Sequence, residues 1–456
     1  MDLSVTTLIP LAAFTLSLLA TRLSLGTGIS VALAVGYFHG IIRANILSVA
    51  TSFLFDSAVL GVYVGLYFSK SKTIESSQSK TIIKWITALT LWPLIVSVIP
   101  QNDVLIQFVA FRATAWFLPM IWIGSRLGDD DLYWITVTLA GLNLVAFCFG
   151  IYEFRYGLYA LYPINEVTFI IYKSGDVAGT NLRIPATFLN AHTYGGTMAC
   201  SLPLLLGQLT GSNAKRRLVS VLLFAGVVAA CGGIILCAAR HPVVVAGLLL
   251  LGTWILTGLS PRIGFGLLVG IGVLAIAASG NERLQRFTTL GETSSVVLRL
   301  RGSINESFLD IFAAYPLGAG MGSSAGTSIP YFLMDVAPMP IGLENEYCRI
   351  LVDQGWVGLF LWLAFLFWVH WPPPRTRPPN AARPIVILIY AMSLTTWGTA
   401  VIGTGLLTAI PSAVLLLVQM GVIIGQKNRP SKRQTTSNRQ QGNMPEGAGG
   451  RQLIGD

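Results

Sequence analysis

Long apolar runs, broken by short polar interruptions, dominate this chain. Several runs of about 18 or more residues carry no charge. A helix of that length crosses a bilayer, whereas the buried helices of soluble domains rarely need it. The pattern predicts spans over 3–21, 25–42, 45–68, 82–100, 104–124, 132–152, 186–209, 218–238, 242–259, 263–279, 355–371, 384–403 and 406–425. The expected fold class is all-α: a polytopic integral membrane protein of about twelve or thirteen transmembrane helices, with a large extracytoplasmic loop containing short helices. The segment from Met1 to Ala20 lacks the basic start of a cleavable leader and reads as the first span.

Composition agrees with this reading. Apolar residues make up 53% of the chain and charged residues 11%, well under the roughly 25% of a soluble domain. Glycine is abundant at 47 residues, as where membrane helices pack closely. The net charge of +10 would point to nucleic acid in a soluble protein. Here it reflects the excess of basic residues in cytoplasmic loops, and no nucleic acid is expected. Cys148, Cys200, Cys231, Cys237 and Cys348 are scattered and form no CxxC pair, which argues against a metal or disulfide framework.

The basic residues orient the map. With the loop holding Lys70, Lys72, Lys80 and Lys84 in the cytoplasm, Lys215–Arg217, Arg262, the Arg375/Arg377/Arg383 cluster and the tail from Lys427 to Arg439 all fall on the same side. The transmembrane domain then covers 1–425, and 426–456 is a polar, basic tail of disordered composition, expected in the cytoplasm beside membrane lipids. Two large loops, about 153–185 and 280–354, emerge on the other side. They carry arginines that topology does not require.

Four stretches there could carry chemistry. Arg183-Ile-Pro-Ala-Thr-Phe-Leu-Asn190-Ala-His192 opens a span, with Asn190 and His192 too deep to face lipid without cost. Interhelical hydrogen bonding is the simpler role for His192. Arg240-His241-Pro242 marks a tight outer turn, where snorkelling to headgroups is the plain alternative to ligand binding. Arg299-Leu-Arg301 precedes an amphipathic segment through Phe308 and Phe312 and then Pro316-Leu-Gly-Ala-Gly-Met-Gly322. Its alternate glycines permit a turn with N–H groups facing an anion, although such a loop is more often only a turn. Last comes Glu344-Asn345-Glu346-Tyr347-Cys-Arg349, leading to Gly355-Trp-Val-Gly358. Helical spacing puts Glu344, Tyr347 and Leu351 on one stripe, and Gly355 suits a helix stop before the next span. Glu344 there serves either the helix N-terminus or general-base chemistry.

The order and sidedness of these stretches resemble the O-antigen ligase and polysaccharide polymerase family of bacterial inner-membrane proteins. The likeness runs from about 180 to 370 and rests on Arg183 with Thr-Phe-x-Asn190, the Arg240 turn, Pro-Leu-Gly-x-Gly at Pro316–Gly320, and Glu344-Asn-Glu-Tyr with Gly355-x-x-Gly358. The resemblance implies a glycosyltransferase that moves glycan from a polyprenyl-diphosphate-linked oligosaccharide donor to a glycan or lipid-linked glycan acceptor, with the polysaccharide export machinery as a further partner. The sequence has no HExxH, no paired CxxC and no Asp-rich metal motif, so a metal-independent reaction without a cofactor is expected. By resemblance, Arg183, Arg240 and one of Arg299 or Arg301 hold the diphosphate; Asn190, Asn345 and Tyr347 are further substrate-binding candidates, and Glu344 is the candidate base. Many ligases of the family carry His-Asn where this chain has Glu344-Asn345. That departure tilts the expectation toward a polymerase. A transporter or flippase is the alternative, with Asp56 and Arg112 as the clearest charges inside spans, and a non-catalytic export scaffold is a third class.

Overall fold

A computed structural model describes residues 3–69, 77–98, 102–172, 182–210, 217–257, 308–324, 330, 332–333, 345–374 and 384–427. Every regular element among them is a helix. In chain order these are α1 (Leu3–Leu23), α2 (Leu25–Asn45), α3 (Val49–Ser52), α4 (Leu54–Tyr67), α5 (Ser77–Ser97), α6 (Val104–Ala115), α7 (Pro119–Arg126), α8 (Asp129–Tyr156), α9 (Ala191–Thr210), α10 (Arg217–Leu236), α11 (Arg240–Thr257), α12 (Phe308–Ala314), α13 (Glu346–His370), α14 (Pro384–Gly398) and α15 (Ser412–Lys427). Seven stretches of the described chain are long and apolar enough to cross a membrane, and three shorter apolar helices accompany them. The helices α5 and α9, expected as spans, have the length but fall outside that set. In α9 the reason is its load of Gly195, Gly196, Thr193, Thr197 and Ser201, small and polar residues that mostly turn into the bundle. The expected span 263–279 and the tail from 428 onward lie outside the described residues.

Local sequence sets the helix starts. Ser24 caps α2 by accepting the Thr27 amide at 3.0 Å, while Thr27 Oγ1 accepts the Ser24 amide at 3.1 Å. Three aspartates open α8, where the helix dipole favours negative charge. One of them, Asp131, accepts the Gly128 amide at 3.0 Å and, with its other oxygen, the Gly26 amide at 2.8 Å. The same carboxylate therefore ties the starts of α2 and α8 together.

The helices pack α1 on α4, α2 on α8 and α4, α8 on α10, and α9 on α10, α8 and α14; α13 lies along α5, and α15 along α7. Polar glue supplements apolar packing at the centre. Tyr37 donates to Asn143 Oδ1 at 2.7 Å, and Asn143 Nδ2 donates to Ser201 Oγ at 2.8 Å, joining α2, α8 and α9. Large apolar side chains such as Leu218, Phe224, Phe360 and Phe367 are exposed. That surface suits lipid as the surrounding medium.

Several expected boundaries shift. The span 45–68 is two helices that meet at Phe53, and the span 104–124 is broken between Ala115 and Pro119. The stretch 186–190 is not helical; α9 starts at Ala191. Pro185 cannot donate to a helical ladder, and the backbone of this stretch has other partners. The tract expected as the span 355–371 follows a shorter helical stretch that starts at Glu346, and the two run on as α13 except at Gly355, whose φ of 68° and ψ of −168° are not helical. The helix stop expected at Gly355 is thus present, as the kink that separates the two halves of α13.

Candidate functional site

The segment 182–190 forms one wall of the site, and neighbouring side chains hold it open as a loop. Glu153 Oε2 accepts the Ala186 amide at 2.9 Å, and the Tyr162 hydroxyl donates to the carbonyls of Ala186 and Phe188 at 2.7 and 3.0 Å. The Ile41 amide of α2 donates to the Thr187 carbonyl at 3.0 Å. Burial pushes the Tyr162 phenol well above its usual range, so it remains a donor. Asn190 Oδ1 accepts the Thr193 amide at 2.8 Å, which makes it the start cap of α9. On the first turn of α9, His192 Nε2 meets the guanidinium of Arg183. The predicted pair of Arg183 and His192 is therefore one contact, and the His bonds to the loop.

Arg240 is half-buried and is the first residue of α11, directly after the short turn 237–239 that joins it to α10, so the expected tight turn is present one step earlier in the chain. The adjoining residues place it. At Gly195 of α9 an added methyl group would lie 2.5 Å from Cys237 Sγ and 3.0 Å from Pro242, so the starts of α9 and α11 touch. His241 Nε2 lies 3.0 Å from Thr399 Oγ1, just past α14, and the His241 ring packs against Gly403. Arg183 and Arg240 thus stand at one end of the bundle, linked through α9 and Pro242.

The third wall is the start of α13. Asn345 Oδ1 accepts the amides of Tyr347 and Cys348 at 2.9 and 3.3 Å, so this asparagine is also a helix cap. The Tyr347 hydroxyl donates to the Trp397 carbonyl at 2.6 Å. Glu346 is 1% exposed; its Oε2 accepts the amides of Gly405 and Leu406 at 2.6 and 3.3 Å. Arg349 stands 3.7 Å from Glu346 Oε1 and donates to Thr408 Oγ1 at 2.7 Å. One turn further, Asp353 accepts the amide and hydroxyl of Ser324 at 2.9 and 2.6 Å.

Two amides of the glycine-rich stretch are taken by the protein itself. Gly318 donates to the Tyr315 carbonyl at 3.1 Å, and Ala319 donates to the Val352 carbonyl at 2.6 Å. The Trp356 amide returns a bond to the Pro316 carbonyl at 2.9 Å. The loop is inserted into the kink of α13 and satisfies the backbone groups that the kink frees. Gly355 is the residue that permits it: its φ suits glycine alone, and a Cβ there would sit 2.5 Å from the Leu317 carbonyl carbon.

Arg183, Asn190, Arg240, Asn345 and Tyr347 are therefore brought to one end of the bundle, connected through Pro242, His241, Thr399–Gly403 and Glu346. Glu344, Arg299 and Arg301 lie outside the described residues. The helix begins at Glu346 with Asn345 as its cap; the expected stripe of Glu344 with Tyr347 and Leu351 includes Glu344 and so lies in part outside the described residues. Sequence reasoning included Glu346 and Arg349 in its fourth stretch but gave no role to them or to Asp353, although their spacing of three and four puts them on one helix face. It also passed over the Gly403–Thr408 turn, which has no charge to draw attention. Among the described residues, no group of three or more His, Cys, Asp or Glu side chains converges as a metal site would require.

These features define a multi-pass, all-α membrane protein with a polar site at one end of its helices. No family model matches the chain, and neither the curated proteins nor the solved structures include a significant match.

Proposed function

We propose that this protein is a membrane glycosyltransferase of the O-antigen ligase or polysaccharide polymerase type. It takes glycan from a polyprenyl-diphosphate carrier and passes it to an acceptor sugar in surface or exopolysaccharide assembly. The observation that carries the reading is the convergence of Arg183, Arg240, Asn345 and Tyr347 from three separated segments on one end of the bundle. Guanidinium groups match the phosphate oxygens of a diphosphate in forked geometry. As the glycosidic bond to the carrier breaks, charge builds on the leaving diphosphate, and fixed cations there stabilise the transition state. The acceptor hydroxyl oxygen attacks the anomeric carbon and yields its proton to a carboxylate, for which Glu344 is the candidate. We place the protein in a bacterial inner membrane with its basic tail in the cytoplasm, on the distribution of lysine and arginine.

The test is Arg183→Ala and Arg240→Ala. Each should abolish polymer or ligated glycan while the protein remains in the membrane at its normal level. Normal glycan output from both would remove the assignment. In a deletion strain, accumulated single carrier-linked repeats would indicate a polymerase, and long chains beside bare lipid A core a ligase.

A second reading, a transporter or flippase, draws on one observation. Asp56 of α4 and Arg112 of α6 form an ion pair of 2.9 Å inside the bundle, near the buried His39 and Arg43 of α2. Ionisable groups within spans often mark a substrate or ion path. Uptake by the purified protein in liposomes, without glycan transfer from a lipid-linked donor, would favour this reading.

A further inference from the structure

The exposure of α13 changes character at its kink. From Asn345 to Gly355 no residue is exposed, although this half carries Glu346, Arg349 and Asp353. Beyond the kink, Trp356, Val357, Phe360, Leu363, Ala364 and Phe367 are exposed, and all are apolar. Protein surrounds the first half, and an apolar medium meets the second.

The same level is marked by indoles and by α12. Trp356 Nε1 donates to the Phe312 carbonyl at 2.7 Å, and the two rings stack with centroids 4.8 Å apart. Trp92 of α5 donates to the Gln354 carbonyl at 2.8 Å, on the other side of the kink. Tryptophans gather where a bilayer meets water, because the ring is apolar and its N–H needs a partner. The far end of α13 bears Trp368 and Trp371. Trp356 and Trp371 are fifteen residues apart, about 22 Å along a helix, which is short of the ~30 Å hydrocarbon layer but within reach of local thinning. Measured from Glu346 instead, α13 would carry three charged side chains into the hydrocarbon. Helix α12 lies against the kink and exposes Leu309 (65%) together with Asp310, while Leu317 (63%) is exposed in the adjoining turn. A surface with both large apolar groups and a carboxylate fits neither bulk water nor the acyl interior; it fits the boundary between them.

We propose that α12 and the Pro316–Leu317 turn rest in the headgroup–acyl boundary of the bilayer, so that the hydrocarbon begins at the Gly355 kink. The first half of α13, with Asn345, Glu346 and Tyr347, then stands at and above the level of the lipid phosphates. The partner of this surface is the bilayer itself, and the proposal does not depend on the transfer reaction.

Single cysteines replacing Leu309, Leu317 and Phe360, in the full chain with its native cysteines substituted, allow a depth measurement. Each carries a nitroxide, and the protein is placed in phosphatidylethanolamine–phosphatidylglycerol bilayers. Collision with dissolved oxygen against an aqueous nickel chelate reports depth. The labels at 309 and 317 should lie about 5–10 Å below the phosphates, with the label at 360 roughly 6 Å deeper. Labels at 309 and 317 that meet only the aqueous reagent overturn the proposal, as do labels as deep as the one at 360. Substituting the native cysteines can unfold the chain, so a second measurement uses the unaltered protein. A phospholipid with a photoreactive group beside its headgroup should crosslink the 308–317 peptide, and one with that group at the chain end should prefer 356–367. Labelling of 356–367 by the chain-end lipid with none of 308–317 by the headgroup lipid overturns the proposal.

Discussion

The carboxylate of Glu346 takes two backbone amides and faces Arg349, and every one of these groups is buried or half-buried. Removing it leaves two amides without their acceptor and Arg349 without its ion partner, although Arg349 keeps its bond to Thr408. Buried polar groups left in that state cost about 1–3 kcal/mol each. We therefore expect Glu346→Ala to destabilise the protein by about 3 kcal/mol, read as a fall in thermal midpoint in detergent. Glu346→Gln, which keeps an acceptor oxygen but not the charge, should lose less. Equal midpoints for Glu346→Ala and the parent chain would contradict this account. The two asparagines of the site have simpler work: Asn190 and Asn345 cap α9 and α13. The Asn-Glu-Tyr run is thus partly an N-terminal helix signal.

At the scale of elements, the kink in α13 organises the site. Its freed carbonyl at Val352 and amide at Trp356 are both taken by the Pro316–Ala319 loop. The loop and kink are one interlocked unit, with Asp353 and Ser324 as a second clasp. Gly355→Ala should separate them. The backbone there lies where glycine is nearly the sole occupant, at a cost of order 1–3 kcal/mol for another residue, and the added methyl group also meets the Leu317 backbone. Limited proteolysis should then cut near 315–324 faster than in the parent chain, with the thermal midpoint lowered. Gly247→Ala in α11 makes a useful control by contrast, because a methyl group there meets nothing within 4 Å. An Ala at 355 with unchanged proteolysis would show that the loop does not depend on the kink.

The whole molecule joins two polar centres within one helical bundle. One is the end site around Arg183, Arg240 and Glu346; the other is the Asp56–Arg112 pair, with side chains 9% and 12% exposed. Arg112 also lies 5.2 Å from the Phe53 ring centroid. α2 connects the centres: His39 lies within electrostatic reach of Arg112, while Gly40 packs on the Phe188 backbone of the end site. Breaking a buried pair strands a charge and costs about 3–5 kcal/mol, whereas replacing both partners with apolar groups is often neutral. Asp56→Leu and Arg112→Leu should each lower the thermal midpoint strongly, and the double variant should recover most of the loss. A double variant as unstable as the sum of the two would show that the ion pair carries no coupling energy and would contradict this account.

The helical membrane architecture was legible in the sequence, because hydrocarbon selects long uncharged runs and forces their backbone to bond internally. Arg240 was legible as the residue that opens an apolar run, and it is the first residue of α11. What the sequence could not contain was the partner of each buried group. Glu346 meets Gly405 across 59 residues, and Trp92 meets Gln354 across 262; local periodicity carries no record of such pairings. Gly355 reads locally as a helix stop, and helical geometry does break there; only the tertiary structure shows that Pro316–Ala319 arrives to satisfy the backbone on both sides. The runs of hydrophobicity thus determined that this chain enters a membrane as helices. The tertiary structure decided which groups sustain their breaks, because a break inside an apolar bundle needs hydrogen-bond partners from elsewhere in the chain.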